Sequence, residues 1–118
     1  MEFYEGKSLD NYIPEKYVVL TDDCLNQIFN YLDNLKTQQA NKYGETLNKF
    51  NPYCNSTLFK NNEIQHFVDA LKFVNTRNFN NNLQSWYWYD KEVDDLNKVI
   101  KFFEQVYKNG NNLIAEGD

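Results

Sequence analysis

Three segments of the chain place apolar residues at the three- and four-residue spacing of an α-helix, and this spacing constrains the fold more than any other feature. The first segment shows the stripe most clearly, in Leu25, Ile28, Phe29, Leu32 and Leu35. Such helices are stable in water mainly because their apolar stripes pack against one another. The sequence therefore predicts a mainly α fold, a small bundle of three principal helices over residues 21–43, 61–75 and 90–109.

The ends of these helices carry start and stop signals. Thr21 is a good N-cap, and Asp22 and Asp23 follow it in the first turn, where negative charge interacts favourably with the helix dipole. Gly44 is predicted to end or break the first helix, and Gly110 to end the last one.

Two short runs leave an α+β fold open as the alternative. Residues 16–20 (KYVVL) and 112–116 (NLIAE) fit short strands that could lie side by side. Residues 1–14 show no periodicity, and Pro14 disfavours helix at the residue before it. We expect these residues to form an N-terminal extension.

Length and charge limit the class of protein. The 118 residues have room for one domain, residues 1–118, that needs neither a metal nor a disulfide to fold. The net charge of −5 disfavours binding to nucleic acid or to an anionic membrane surface, and it would steer a basic protein partner towards the chain. The first residues lack a signal-peptide pattern, so a cytoplasmic protein with reduced cysteines is expected. Asparagine is the commonest residue, which we interpret as codon usage.

The sequence predicts no catalytic centre. His66 is the single histidine, and Cys24 beside Leu25 is interpreted as a buried structural thiol. Adjacent helical acids such as Asp22–Asp23 and Asp94–Asp95 point about 100° apart, so neither pair converges on one substrate. Neither metal-ligand spacing nor a glycine-rich phosphate loop is present in the sequence, and no metal or cofactor is expected.

Two sets of residues are candidates for contact with a protein partner. The first is an aromatic run just before the last predicted helix, Trp86, Tyr87, Trp88 and Tyr89. These residue types are enriched in binding hot spots, although one alternate pair is expected to pack into the core. The second is the acidic side of the first and last helices, with Asp22, Asp23, Asp33, Glu92, Asp94 and Asp95. The alternative interpretation of these acids is an ordinary solvated face.

The layout of the chain from residue 42 onwards resembles a family of small bacterial immunity proteins. A polar helix end with Gly44 leads through NPYCNSTLF to a second helix, a closing helix and the ending NLIAEGD. Immunity proteins of this kind are encoded beside polymorphic toxins, including those of contact-dependent growth inhibition systems. The resemblance implies a non-enzymatic inhibitor that binds a cognate toxin, for example a basic nuclease. No site residue is carried over from it.

Two other functions stay open at this point. A phage or plasmid accessory protein, such as a nucleic-acid mimic or anti-defence factor, would display its acids along one long face. Lys98, Lys101 and Lys108 on the closing helix argue against a pure mimic. An enzyme or ligand-binding module would need a pocket that joins His66 to a carboxylate or to the aromatic run. The oligomeric state is open as well.

Overall fold

The computed structural model describes the backbone of residues 1–50, 56–80 and 90–117, and the side chains of these residues except 76–80 and 90–93. A four-stranded antiparallel sheet in these ranges packs against α-helices. The elements in chain order are β1 (Glu2–Ser8), β2 (Asn11–Val19), α1 (Asp22–Leu35), α2 (Gln38–Leu47), a 3-10 turn (Asn48–Phe50), β3 (Ser56–Phe59), α3 (Asn61–Asn80), α4 (Asp90–Lys108) and β4 (Asn112–Glu116).

The fold is therefore α+β, and the prediction of a mainly α bundle is wrong. The strands follow the order β2-β1-β4-β3. The strand predicted near 112–116 is β4, and the run at 16–20 lies largely within the longer strand β2. These two strands do not lie side by side, because β1 pairs with both of them and separates them.

The N-terminal residues were predicted as an extension and instead form the β1–β2 hairpin. Their strand pattern is hidden because Phe3 and Glu5 occupy successive positions on the helix-covered face, where an apolar residue is expected in place of Glu5. Pro14 is compatible with β2 because β2 is an edge strand. The pairing between β1 and β2 is irregular around Gly6, which faces Tyr12.

The helix predicted over residues 21–43 is two helices. Lys36 adopts a left-handed backbone conformation with φ of 52°, which ends α1. Thr37 then caps α2, since its hydroxyl accepts a hydrogen bond of 3.1 Å from the backbone N–H of Ala40. Gly44 lies inside α2 and ends neither helix. The last two helices begin where predicted, at residues 61 and 90, and Gly110 follows α4 with a positive φ of 75°.

Five phenylalanines from different elements join the sheet to the helices. Phe50 is their centre, and its ring lies 4.5–6.0 Å from four others, which are Phe3 of β1, Phe59 of β3, Phe67 of α3 and Phe103 of α4. All five side chains are buried. Aromatic rings of this size bury large apolar areas and favour edge-to-face contacts, so the cluster holds strands and helices in one core.

Glu5 is the buried charged residue on the covered face of the sheet. Its side chain is 3% exposed. One carboxylate oxygen accepts hydrogen bonds from the side-chain amides of Asn109, at 2.9 Å, and Asn111, at 2.6 Å. A carboxylate is costly to bury without such donors. The turn after α4 therefore supplies the hydrogen-bond donors that the buried Glu5 carboxylate of β1 needs.

Asparagine side chains also tie this turn to the rest of the fold. The Asn61 amide donates to the carbonyls of Tyr107, at 3.1 Å, and Asn111, at 2.8 Å. The Asn112 side chain accepts from the Asn61 backbone N–H at 2.9 Å and donates to the Lys7 carbonyl at 3.1 Å. At these positions asparagine has a structural role, and codon usage alone does not account for it.

We predict that Gly6→Ala destabilises the protein by about 1–3 kcal/mol. A Cβ on residue 6 would lie 2.4 Å from the Tyr12 Cβ and 2.7 Å from the Asn11 carbonyl oxygen, so the hairpin would have to open. Gly44→Ala is the matched control, because a Cβ there meets nothing within 4 Å. In the interior of α2 this change should stabilise the protein by about 0.5–1 kcal/mol. Urea unfolding of the two variants measures both effects, and equal effects would contradict the assigned β1–β2 register.

Candidate protein-binding surface

A groove lies where the edge strand β2 meets the start of α1 and the first half of α4. It encloses about 220 Å³ and is lined by Tyr17, Val18, Val19, Thr21, Asp95 and Lys98. We call these six residues the β2–α4 groove. The position of each follows from local structure: the first three end β2, Thr21 caps α1, and the last two are one turn apart on α4.

The corner between β2 and α1 is held by backbone hydrogen bonds. Met1 and Leu20 exchange two of them, at 3.0 and 2.9 Å, which fasten the end of β2 to the start of β1. The hydroxyl of Thr21 accepts a bond of 3.1 Å from the backbone N–H of Cys24, and this cap fixes the first turn of α1. The groove is therefore formed by restrained backbone on its β2 and α1 sides.

Apolar side chains are exposed at this corner. Tyr17 is 52% and Val19 is 42% exposed. Tyr17 pairs with Tyr4 across the strands, their ring centres 5.5 Å apart, and Tyr4 also contacts Tyr12 at 5.1 Å. A tyrosine held by neighbouring rings loses little conformational entropy when a partner covers it, as in many binding hot spots.

Carboxylates lie on the α1 and α4 sides of the groove. Asp95 lines the groove and is half-buried, while its neighbour Asp94 is exposed. Asp22 and Asp23 are exposed in the first turn of α1, directly after Thr21. The one ion pair in the described residues joins Lys72 to Glu104 at 2.9 Å, on α3 and α4. Among the described side chains, none forms an ion pair with the acids at the groove, and Lys98 is the cation among the lining residues.

Tyr4 has a perturbed acidity. Its hydroxyl donates a hydrogen bond to the carboxylate of Glu2. This bond, together with burial, raises the pKa of the Tyr4 phenol well above its ordinary value of about 10. The phenol proton that Tyr4 donates to Glu2 is therefore retained in moderately alkaline solution.

Asp33 belongs to a different concavity. It lines a space of about 450 Å³ between α1 and α2, together with Phe29, Gly44 and Glu45. Asp22 and Asp33 are eleven residues apart on one helix, which is about 16 Å along its axis. The predicted acidic surface is therefore divided: Asp95 lines the β2–α4 groove, Asp22, Asp23 and Asp94 are close in the chain to its lining residues, and Asp33 is in the second concavity.

The remaining predicted contact residues can be placed only in part. Trp86, Tyr87, Trp88 and Tyr89 lie outside the described residues. Glu92 falls in the first turn of α4, and its side chain is outside the described part.

Sequence reasoning missed Tyr17 and Val19 as surface residues. The available signal was the run KYVVL itself. In a strand, successive side chains point to opposite faces, so an uninterrupted apolar run places apolar residues on both faces of a sheet. Val18 faces the helices and is partly buried, whereas Tyr17 and Val19 face away from them.

The residues considered for chemistry are separated in the structure. His66 is exposed on α3, and neither of the two concavities above is lined by it. Cys24 is fully buried in α1, as its interpretation as a structural thiol required. In the described ranges, no three histidine, cysteine or acidic side chains are grouped as metal ligands. That the chain is not an enzyme stays a prediction.

Comparisons with protein-family models, with curated proteins and with solved structures gave no match. None of the helices in the described part of the chain combines the length and the apolar character needed to cross a membrane.

We predict that the Tyr4→Phe variant is less stable than the wild type near neutral pH and that this difference in stability shrinks as the solution becomes alkaline. Near neutral pH the variant should be less stable by about 1 kcal/mol, because the hydrogen bond to Glu2 is lost. Above about pH 10 the unfolded wild type releases its Tyr4 proton while the folded state keeps it, so wild-type stability falls and the deficit shrinks.

The measurement is urea unfolding of both proteins from neutral pH to about pH 11. Glu2→Gln removes the carboxylate that accepts the hydrogen bond. When Tyr4→Phe is made in that background, its effect on stability should therefore change less with pH. A constant deficit across this pH range would contradict the assigned Tyr4–Glu2 interaction.

Proposed function

We propose that this chain is a cytoplasmic immunity-type protein that binds a basic toxin domain by direct association and thereby neutralises it. The observation that carries the proposal is the β2–α4 groove, which exposed Tyr17 and Val19 line together with Asp95, a carboxylate with no ion-pair partner among the described side chains. Apolar anchors surrounded by one sign of charge are suited to a partner with the opposite charge.

Charge supports a protein partner over a nucleic acid. The net charge of −5 repels phosphate backbones and accelerates encounter with a basic protein. Lys98 lines the groove together with Asp95, and a cation at this place disfavours a nucleic-acid mimic. The layout that resembles immunity proteins is a separate argument, and it rests on the sequence alone.

Helix geometry keeps the acids available for a partner. Asp22 and Asp23 are in the first turn of α1, where the helix dipole stabilises their negative charge without a cationic neighbour. They need no ion pair within the chain, so a basic side chain of a partner could approach them directly. Removal of water at such a contact strengthens the attraction.

The first test of the proposal concerns charge. The proposed function requires a toxin domain encoded beside this gene, and that domain is the partner to use, with binding followed by calorimetry and association kinetics. Asp23→Lys combined with Asp95→Lys should weaken binding about tenfold or more, mainly through slower association, and the effect should shrink at high salt.

The matched control is Asp10→Lys combined with Asp69→Lys, which makes the same change of charge away from the groove. Asp10→Lys alone is measured as well. Asp10 is in the β1–β2 turn, at the opposite end of β2 from Val19, and both control residues are exposed. Loss of binding that is equal in groove and control variants would show an effect of net charge alone. That outcome would contradict a site at the groove.

The second test concerns the apolar anchors. Tyr17→Ser with Val19→Ser should accelerate dissociation and weaken binding at least about tenfold, because buried aromatic anchors contribute most to affinity. Both side chains are about half exposed in the free protein, so its free energy of unfolding should fall only modestly. Cells that express this variant should lose protection against the toxin domain. Full protection, or no binding by the wild-type protein, would refute the proposed function.

A further inference from the structure

Asn109 and Gly110, which follow α4, form the one Asn-Gly dipeptide of the sequence. In this dipeptide the backbone nitrogen of glycine reaches the asparagine side chain more easily than in others, because glycine has no Cβ to obstruct the approach. The two groups can then react with each other and need only water as a co-reactant.

The reaction is a deamidation. The Gly110 backbone nitrogen loses its proton to solvent base and attacks Cγ of Asn109. A C–N bond forms, the bond from Cγ to Nδ2 breaks, and the amide nitrogen leaves as ammonia. Water then adds to either carbonyl of the five-membered ring and opens it to aspartate or isoaspartate. One water is consumed and one ammonia released, with no oxidation or reduction.

Three hydrogen bonds hold the reacting groups in the folded protein. The Gly110 backbone N–H donates to the Tyr107 carbonyl at 3.1 Å. The Asn109 amide nitrogen donates to Glu5 at 2.9 Å, and its oxygen accepts from Gln105 at 3.0 Å. The proton on the attacking Gly110 nitrogen is thus held in a hydrogen bond, and the Asn109 side-chain amide is held through both its nitrogen and its oxygen. Ring closure requires these bonds to break, so it depends on local opening of the turn.

The product would be incompatible with this arrangement. Glu5 is 3% exposed, and the Asn109 amide is one of its two side-chain donors. Asn109 itself is exposed, but aspartate at this position would replace that donor with a second negative charge beside the buried Glu5 carboxylate, and like charges this close repel. Since Glu5 is on β1, the strain would act on the central part of the sheet.

We propose that Asn109–Gly110 is a self-modification site that the native fold keeps closed, and that its conversion to aspartate loosens β1 from the turn after α4. The site differs from the groove, and the inference does not depend on the proposed function. According to this proposal, the chain is protected from deamidation for as long as the turn stays intact.

The first experiment compares rates. The protein is incubated in mildly alkaline buffer, once folded and once unfolded in guanidinium. The peptide that contains residue 109 is then followed by liquid chromatography and mass spectrometry, in which the chromatography separates aspartate from isoaspartate. Deamidation of Asn109 should be about tenfold or more slower in the folded protein. Equal rates in the two conditions would overturn the proposal.

The second experiment tests the contact with Glu5. Asn109→Asp should lower the urea midpoint clearly more than Asn30→Asp, which adds the same charge at an exposed position of α1. In a Glu5→Gln background the effect of Asn109→Asp should shrink, because the facing charge is gone. An undiminished effect in that background, or equal effects at positions 109 and 30, would overturn the role assigned to Glu5. The rate comparison needs no variant and stands even if Glu5→Gln fails to fold.

Discussion

The contact between the buried Glu5 carboxylate and two asparagine amides is the constraint on which the rest of the structure depends. A carboxylate in the covered face of a sheet is tolerated only where donors meet it. Asn109 and Asn111 supply them from the turn between α4 and β4. Because β1 pairs with both β2 and β4, this contact fixes the centre of the sheet relative to α4.

The candidate binding surface follows from that geometry. β2 is an edge strand attached to the sheet through β1 alone, and its last residues meet α1 and α4. The phenylalanine cluster around Phe50 packs α3 and α4 against β1 and β3 from within. Asp95 of α4 and the last residues of β2 thereby line the same groove. The backbone at this surface is held by the hydrogen bonds between Met1 and Leu20 and by the Thr21 cap.

How much of this could be predicted from the sequence differs from element to element. The apolar stripes predicted the helices, and the starts of α3 and α4 are confirmed. β1 was missed because Glu5 stands where the alternating pattern requires an apolar residue, and its donors lie more than 100 residues away in the chain. The break at Lys36 was missed because a left-handed lysine leaves no signal in a polar run. Distant partners and local backbone conformation are not encoded in periodicity.

The candidate site, like the fold, could be predicted from the sequence only in part. Helix start signals located Asp22 and Asp23, and α4 brings Asp94 and Asp95 to the same corner, although 70 residues of chain separate the two pairs. That meeting depends on the order of the strands, which no local pattern contains. Asp33 was grouped with these acids because it lies on the same helix, yet three helical turns carry it to another concavity. Tyr17 and Val19 were visible in the sequence only as members of a strand.

The central claim is that the β2–α4 groove is where this protein meets a basic protein partner. It is tested most directly by titrating isotope-labelled protein with the toxin domain that the proposed function requires, and following the backbone amide resonances. The account predicts that the largest changes fall on Tyr17, Val19, Thr21 and Asp95, while the amides of the α1–α2 concavity around Gly44 change little. Changes centred on that second concavity, or none near the groove, would contradict it.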